Sequence, residues 1–143
     1  MQAIIKRIAG LSLAGKADSD HWVSMDTSLA GGGNEAGASP MELVLIALGG
    51  CTSMDVLSIL AKKRVTLQEY ECQVEAERAE EHPRIFTRIH IRFIFYGDNI
   101  PVEAVERAIA LSNEKYCSVS AMLRKAAEVR VEYDIRPGKE GRR

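Results

Sequence analysis

Two consecutive stretches of the chain alternate apolar and polar residues with the period of two that is typical of β-strands. Residues 66–78 carry one apolar face, made of Tyr70, Cys72, Val74 and Ala76. Residues 84–95 carry a second apolar face, made of Ile85, Thr87, Ile89, Ile91, Phe93 and Phe95. The segment EEHPR between them suits a turn, so the pattern predicts a β-hairpin with one face in the core.

A long helix is predicted over residues 39–63. Ser39 is a suitable N-cap, Pro40 fits the first helical position, and Glu42 completes a capping box. The first three turns are apolar on nearly every side, which predicts a central helix buried within the fold. Gly49 and Gly50 lie in the helix interior, where glycine costs stability, so we expect something to pack closely against that backbone.

The remaining patterns predict shorter elements and one domain. Residues 2–9 and 22–26 are expected to be strands of an N-terminal hairpin, followed by a glycine-rich loop over 28–40. Two helices at 101–115 and 117–127 and a strand at 129–135 complete the order ββ-α-ββ-αα-β. The fold class is therefore α+β. We predict a single domain, divided into 1–38, 39–63, 64–135 and a charged tail at 136–143.

Charge and hydropathy exclude several classes of function. The chain has 143 residues, 19 Lys and Arg against 20 Asp and Glu, and a net charge of -1, which argues against a nucleic-acid partner. The longest unbroken apolar run, Leu43 to Leu48, is far shorter than a membrane span, and the first residues have no secretory apolar core. We predict a cytoplasmic protein that does not interact with membranes and that needs no cofactor or metal.

The three cysteines match neither a disulfide framework nor a zinc pattern by their spacing. Cys51 lies in the most apolar helix and is most simply a small buried hydrophobic residue. Cys117 follows a break between two helices, where a helix N-terminus would favour its thiolate, so packing and chemistry stay open for it. Cys72 is expected to pack in a strand. Glu42 is either only a capping residue or also a carboxylate that accepts a proton or orients a cation.

The segments SPMELVLIALGGCTSMDVLSIL and EKYCSVSAMLRKA, together with PRIFTRIHIRF, resemble the OsmC/Ohr family of bacterial thiol peroxidases, in particular its YhfA-type branch. The resemblance extends along nearly the whole chain. It implies an intertwined homodimer with a six-stranded, mostly antiparallel sheet per chain wrapped around long central helices.

The resemblance also implies a function in oxidative-stress defence, namely the reduction of organic hydroperoxides. Cys51 matches the cysteine that attacks the peroxide, and Cys117 matches the partner that forms a disulfide with it. Glu42 matches the glutamate that pairs with an active-site arginine. An external dithiol, of lipoyl type or another thiol, would then reduce the disulfide.

The sequence departs from the family at that arginine, because no arginine occurs between Arg7 and Arg64. Lys16 is a hypothetical replacement, as a point charge without the planar fork of a guanidinium. Two alternatives to the peroxidase therefore stay open. One is a non-catalytic protein that binds a small apolar ligand, and the other is a redox sensor that passes its disulfide to a partner.

Overall fold

The computed structural model describes residues 1–138. The chain forms two compact units, Met1–Val44 and Leu45–Arg143. The last five residues of the predicted charged tail lie outside the described part. The prediction of a single domain stays a prediction.

The first unit is a three-stranded antiparallel sheet of β1 (Ala3–Ala9), β2 (Ser12–Ala17) and β3 (Val23–Met25), with β2 in the middle. The expected hairpin of residues 2–9 with residues 22–26 was wrong, because β2 lies between β1 and β3 and pairs with both. The chain reverses earlier, at Gly10, whose positive φ of 56° suits glycine. The sequence pattern did not predict β2 because its residues are mostly small and have low strand propensity. Pairing with a strand on each side, and not side-chain propensity, holds β2 in place.

A buried carboxylate organises the glycine-rich segment that follows. Asp26 is 2% exposed and accepts a hydrogen bond from the Ser12 hydroxyl at 2.7 Å. It also accepts the backbone N–H groups of Thr27 at 2.7 Å and of Asn34 and Ala36 at 3.2 Å. The bond from Ser12, followed by these N–H groups, lowers the pKa of Asp26. The loop is thus folded around a charged group that the sequence analysis overlooked.

Helix α1 spans Pro40–Lys62, as predicted. Its capping box is formed in both directions: Glu42 Oε2 accepts from the Ser39 N–H at 2.6 Å, and Ser39 Oγ accepts from the Glu42 N–H at 3.3 Å. The bond from the Ser39 N–H lowers the pKa of Glu42.

Burial along α1 is one-sided within the chain. Leu48, Gly49, Thr52, Val56 and Leu60 are buried at helical spacing, whereas Ile46 is 61% and Met54 74% exposed. The expectation of a helix buried on nearly every side is therefore not met within residues 1–138. The helix is long and apolar enough to span a membrane, with a mean hydropathy of 2.0 over its best window. Because core helices can have the same length and composition, this feature by itself does not indicate a membrane protein.

The second unit contains a three-stranded sheet in the order β4 (Glu69–Arg78), β5 (Phe86–Tyr96) and β6 (Glu128–Arg136). β4 and β5 are the predicted antiparallel hairpin, and β6 joins β5 in parallel. Ile89, Ile91, Phe93 and Phe95 are fully buried, as the alternation predicts. An irregularity beside Arg78 shifts the pairing, so Phe86 is buried while Ile85 and Thr87 are exposed, contrary to the predicted face.

The six strands therefore form two three-stranded sheets in the described chain, not the six-stranded sheet that the family resemblance implies. Each sheet has two outer edges, and among residues 1–138 none of them pairs with a further strand, apart from a single bridge between Met25 of β3 and Ala38. A wider sheet would need hydrogen bonds across these edges. The homodimer also stays a prediction.

The connection between β5 and β6 carries the second predicted pair of helices in shortened form. Helix α2 spans Val102–Leu111, a π-helical turn follows over Ser112–Tyr116, and helix α3 spans only Ser118–Leu123. The N–H of Cys117 donates to the Ser112 carbonyl at 2.9 Å and closes this wide turn. Turns of this kind occur frequently at functional sites.

Candidate functional site

Cys51 and Cys117, which are 66 positions apart in the sequence, are neighbours in the second unit. Their sulfur atoms and a carboxylate oxygen of Asp55 all lie within 4.8 Å of one another. Cys51 and Asp55 are half-buried, whereas Cys117 is 3% exposed. The structure thus brings together the two cysteines that the resemblance pairs. It adds a carboxylate that the sequence analysis did not consider.

The backbone around these three residues explains why they meet. Cys51 and Asp55 are four residues apart on α1, so their side chains lie on one face of the helix. The π-helical turn ends at Cys117, which is the N-cap of α3. Asp55 could have been found from the sequence by stepping one helical turn forward from Cys51, but its approach to Cys117 depends on tertiary structure.

Asp55 is held by a hydroxyl group and not by a cation. The Ser112 hydroxyl donates to Asp55 Oδ2 at 3.0 Å. Among residues 1–138, no Lys or Arg side chain forms an ion pair with this carboxylate within 4.0 Å. The cysteine pair therefore has an anionic neighbour where the family pattern has a guanidinium close to the reactive sulfur.

Cys117 is a protected thiol. Burial raises its pKa to about 11, and hydrogen bonding and charge interactions with Cys51 and the charge of Asp55 act in the same direction. The Ser120 N–H donates to its sulfur at 3.3 Å and lowers the pKa, but this bond is outweighed. The predicted position at a helix N-terminus is thus confirmed, whereas the expected thiolate-favouring environment was wrong because desolvation dominates.

Cys72 lies apart from this trio, in β4. A β-carbon built on Gly49 would lie 3.7 Å from the Cys72 sulfur and 3.1 Å from Val74 Cγ2, so α1 and β4 approach closely there. Burial raises the pKa of Cys72 as well. The structure is consistent with the predicted packing role. The close approach expected at the glycine pair exists at Gly49 alone, since nothing lies within 4 Å of a β-carbon built on Gly50.

Polar side chains near Cys72 connect α1 to β4. The Tyr70 hydroxyl donates to Ser53 Oγ at 2.8 Å, and burial raises the pKa of this tyrosine. Thr52, which is fully buried, donates back to the Leu48 carbonyl at 3.0 Å. The Tyr70–Ser53 bond ties the part of α1 next to Cys51 to β4, whereas the Thr52 bond stays within the helix.

Asp55 also lines a cleft of about 390 Å³. The rest of its lining consists of apolar and aromatic side chains, two lysines and one serine: Ile59, Leu111, Tyr116, Lys62, Lys63 and Ser58. A larger groove of about 580 Å³ on the β4–β5–β6 sheet is lined mostly by charged residues, and its lining does not include Asp55. The smaller cleft is therefore the candidate entry for a small molecule.

Glu42, which matches the family glutamate, and Lys16, the hypothetical replacement for the family arginine, both have local partners in the first unit. Glu42 is bound in the capping box of α1. Lys16 contacts the Asp20 carboxylate, and its ammonium group lies 5.0 Å from the centre of the Trp22 ring. These contacts account for both residues structurally, and their catalytic roles stay predictions.

Comparison with known proteins decides the family. Residues 31–132 match the sequence profile described as OsmC-like protein. This chain belongs to the OsmC-like protein family. It is 44% identical over 135 residues to the protein YhfA of Escherichia coli K12, covering 94% of this chain and 98% of that protein. The resemblance recognised in the sequence is confirmed.

Solved structures place the same fold in other bacteria. A hypothetical protein from Aquifex aeolicus is 28% identical with a TM-score of 0.84, and the match covers 96% of this chain and 97% of that one. An organic hydroperoxide resistance protein from Elizabethkingia anophelis is 14% identical with a TM-score of 0.67, covering 97% of each chain. At that identity the second likeness concerns the fold alone. This OsmC-like protein therefore has the α+β fold of the family.

Proposed function

We propose that this OsmC-like protein reduces organic hydroperoxides through Cys51 and Cys117. The observation that carries the proposal is the approach of the two sulfur atoms to within 4.8 Å of each other, beside Asp55, which also lines a cleft. The fold shared with an organic hydroperoxide resistance protein supports it. Involvement in oxidative-stress defence is part of the same proposal.

The different environments of the two thiols support different roles for them. The thiolate is the nucleophile in peroxide reduction, and a pKa of about 11 leaves Cys117 almost entirely protonated at neutral pH. Cys51 is the more exposed of the two, being half-buried. Cys51 is therefore the residue that attacks the peroxide, and Cys117 reacts second.

The chemistry takes three balanced steps. The Cys51 thiolate attacks the O–O bond of ROOH, which with one proton gives the alcohol ROH and a sulfenic acid, Cys51–SOH. The Cys117 thiol then displaces hydroxide from that sulfur, so that the disulfide and one water form. An external dithiol reduces the bridge and becomes a disulfide itself.

The cleft favours a peroxide with an apolar substituent. Ile59, Leu111 and Tyr116 offer apolar surface near Asp55, and each Å² of apolar surface removed from water contributes about 25 cal/mol. Hydrogen peroxide gains nothing from these contacts. We therefore expect an organic hydroperoxide to react faster than hydrogen peroxide at equal concentration.

A homodimer is part of this proposal. Large apolar side chains are exposed in each unit: Ile4, Ile5 and Ile8 on β1, and Ile46, Met54 and Leu57 on α1. A second copy of the chain would cover such surfaces, which a monomer rarely exposes. We propose a cytoplasmic dimer. Light scattering coupled to size exclusion would contradict the dimer if it gave the monomer mass of 15.8 kDa.

Turnover in the presence of a dithiol tests the proposal. We expect dihydrolipoamide and cumene hydroperoxide to be consumed together by the wild-type protein. Cys51→Ser should abolish consumption, Cys117→Ser should abolish dithiol-dependent turnover after one reaction, and Cys72→Ser is the matched control that should retain it. Equal activity in Cys51→Ser and wild type would contradict the proposal.

A second candidate function is the binding of a small apolar molecule without catalysis. The carboxylate of Asp55 beside the cysteines, in place of a cation, favours it, because an anion disfavours a reactive thiolate. Binding of a non-peroxidic analogue such as cumyl alcohol, with no turnover of the hydroperoxide, would support this candidate over the peroxidase.

A further inference from the structure

The reduced site has the donor set of a soft or borderline metal ion. Two sulfur atoms, of Cys51 and Cys117, and a carboxylate oxygen of Asp55 lie within 4.8 Å of one another. Thiolates exclude Mg²⁺ and Ca²⁺, which prefer oxygen ligands, and two sulfurs with one carboxylate suit Zn²⁺. Sequence spacing gave no sign of this set, because one ligand comes from a distant turn.

The geometry needs little adjustment to hold zinc. Tetrahedral zinc with Zn–S bonds of about 2.3 Å keeps its sulfur ligands about 3.8 Å apart. The observed separations are at most about 1 Å longer than that, which side-chain rotation about Cα–Cβ bonds can close. Cys51 and Asp55 are already on one face of a continuous helix, so two of the three ligands are fixed relative to each other.

The surroundings orient the ligands in the way that metal sites require. The Ser112 hydroxyl donates to Asp55 Oδ2 and holds the plane of the carboxylate, which keeps lone pairs available for a metal. The Ser120 N–H binds the sulfur of Cys117. Lys62 and Lys63 line the cleft that Asp55 shares, yet no ion pair within 4.0 Å joins either of them to Asp55 in the described chain.

We propose that the reduced protein binds one Zn²⁺ per chain through Cys51 Sγ, Cys117 Sγ and a carboxylate oxygen of Asp55. The fourth position is left to water or to an incoming ligand from the cleft. Binding replaces the two thiol protons, which pass to solvent, and no electron is transferred. Zinc and disulfide formation therefore compete for the same two sulfurs, and the metal-loaded protein cannot form the Cys51–Cys117 bridge.

Cobalt substitution gives a direct readout, because Co²⁺ bound to thiolates absorbs in the near ultraviolet and visible. We would titrate reduced, chelator-treated protein with Co²⁺ under anaerobic conditions and then displace it with Zn²⁺. The expected result is one equivalent bound, with thiolate-to-cobalt bands that zinc removes. Absence of these bands, or binding of Cu(I) but not of Zn²⁺ or Co²⁺, would overturn the proposal.

Substitutions test each of the three proposed ligands against control positions elsewhere in the chain. Cys51→Ser and Cys117→Ser should each weaken zinc binding at least about 100-fold. Asp55→Asn should weaken it about tenfold or more while the thiolate-to-cobalt bands persist. The matched controls Cys72→Ser and Glu103→Gln, an exposed carboxylate on α2, should bind as wild type. Unchanged affinity in Asp55→Asn would overturn the assigned ligand set.

A measurement on the unmodified chain guards against variants that fail to fold. Saturating zinc should protect the half-buried Cys51 from iodoacetamide and leave the labelling of Cys72 unchanged. Equal labelling of Cys51 with and without zinc would overturn the proposal. These experiments contain no peroxide, and the turnover assay contains a chelator. Failure of the zinc site is therefore distinguishable from failure of the proposed peroxidase.

Discussion

The sharpest consequence of the site concerns the titration of Cys117 and its dependence on Asp55. Burial, contacts with Cys51 and the charge of Asp55 raise the pKa of Cys117 from the ordinary value of 9.0 to about 11. At pH 8 the thiolate fraction falls from about one in ten to about one in a thousand, a factor of about 100. The rate of alkylation should therefore increase about tenfold per pH unit up to about pH 11.

Site-resolved alkylation measures this directly. Reduced protein is pulsed with iodoacetamide between pH 7 and 11.5, and the labelling of each cysteine is read from peptide masses. Burial also slows access, so the midpoint of the profile is the relevant quantity and not the absolute rate. Asp55→Asn should lower the midpoint for Cys117 without returning it to 9.0, because burial is the largest cause.

The matched control for this substitution is Glu103→Gln, which removes an exposed carboxylate and should leave the midpoint unchanged. A chemically unfolded sample should level off near pH 9. A midpoint at or below 9 in the folded wild-type protein would refute the account of Cys117 as a protected thiol. It would also remove the reason for assigning the second role in the reaction to it.

Three further outcomes follow from the structure. Gly49→Ala should be less stable than Gly50→Ala by about 1–3 kcal/mol in urea unfolding, because only the first meets Val74; equal stabilities would contradict the packing. The wild-type protein should lose stability as the pH falls through and below 4.5, because the bonds from Ser39 favour the ionised form of Glu42 and so lower its pKa in the folded state. Glu42→Gln should lack this part of the pH dependence of the free energy of unfolding. Asp26→Asn should speed hydrogen exchange at the loop amides it binds, whereas unchanged exchange would show that the loop is held otherwise.

The sequence predicted α1 and the β4–β5 hairpin correctly, because interactions between residues close in sequence define these elements. Ser39 and Glu42 fixed the start of α1, because a capping box acts within four residues. The alternation in β4 and β5 predicted their pairing and most of the buried face. The exception at Ile85 comes from a one-residue irregularity near the start of β5, which puts the side chains before it out of phase with the pattern that the rest of the strand follows.

The features that were missed depend on distant parts of the chain. β2 has weak intrinsic preference and exists because β1 and β3 pair with it on both sides. Asp26 folds a loop ten residues long around itself, and Asp55 meets Cys117 only through the π-helical turn. The pairing of Cys51 with Cys117 came from the family resemblance, since cysteine spacing alone supports neither bridge nor metal.

The most direct test of the central claim is the intact mass of reduced protein after one equivalent of cumene hydroperoxide, compared with one equivalent of hydrogen peroxide. The account predicts rapid loss of two hydrogens with the organic peroxide, slower loss with hydrogen peroxide, and no such loss in Cys51→Ser or Cys117→Ser. Peroxide consumption no faster than that of free cysteine, with the mass unchanged, would contradict it.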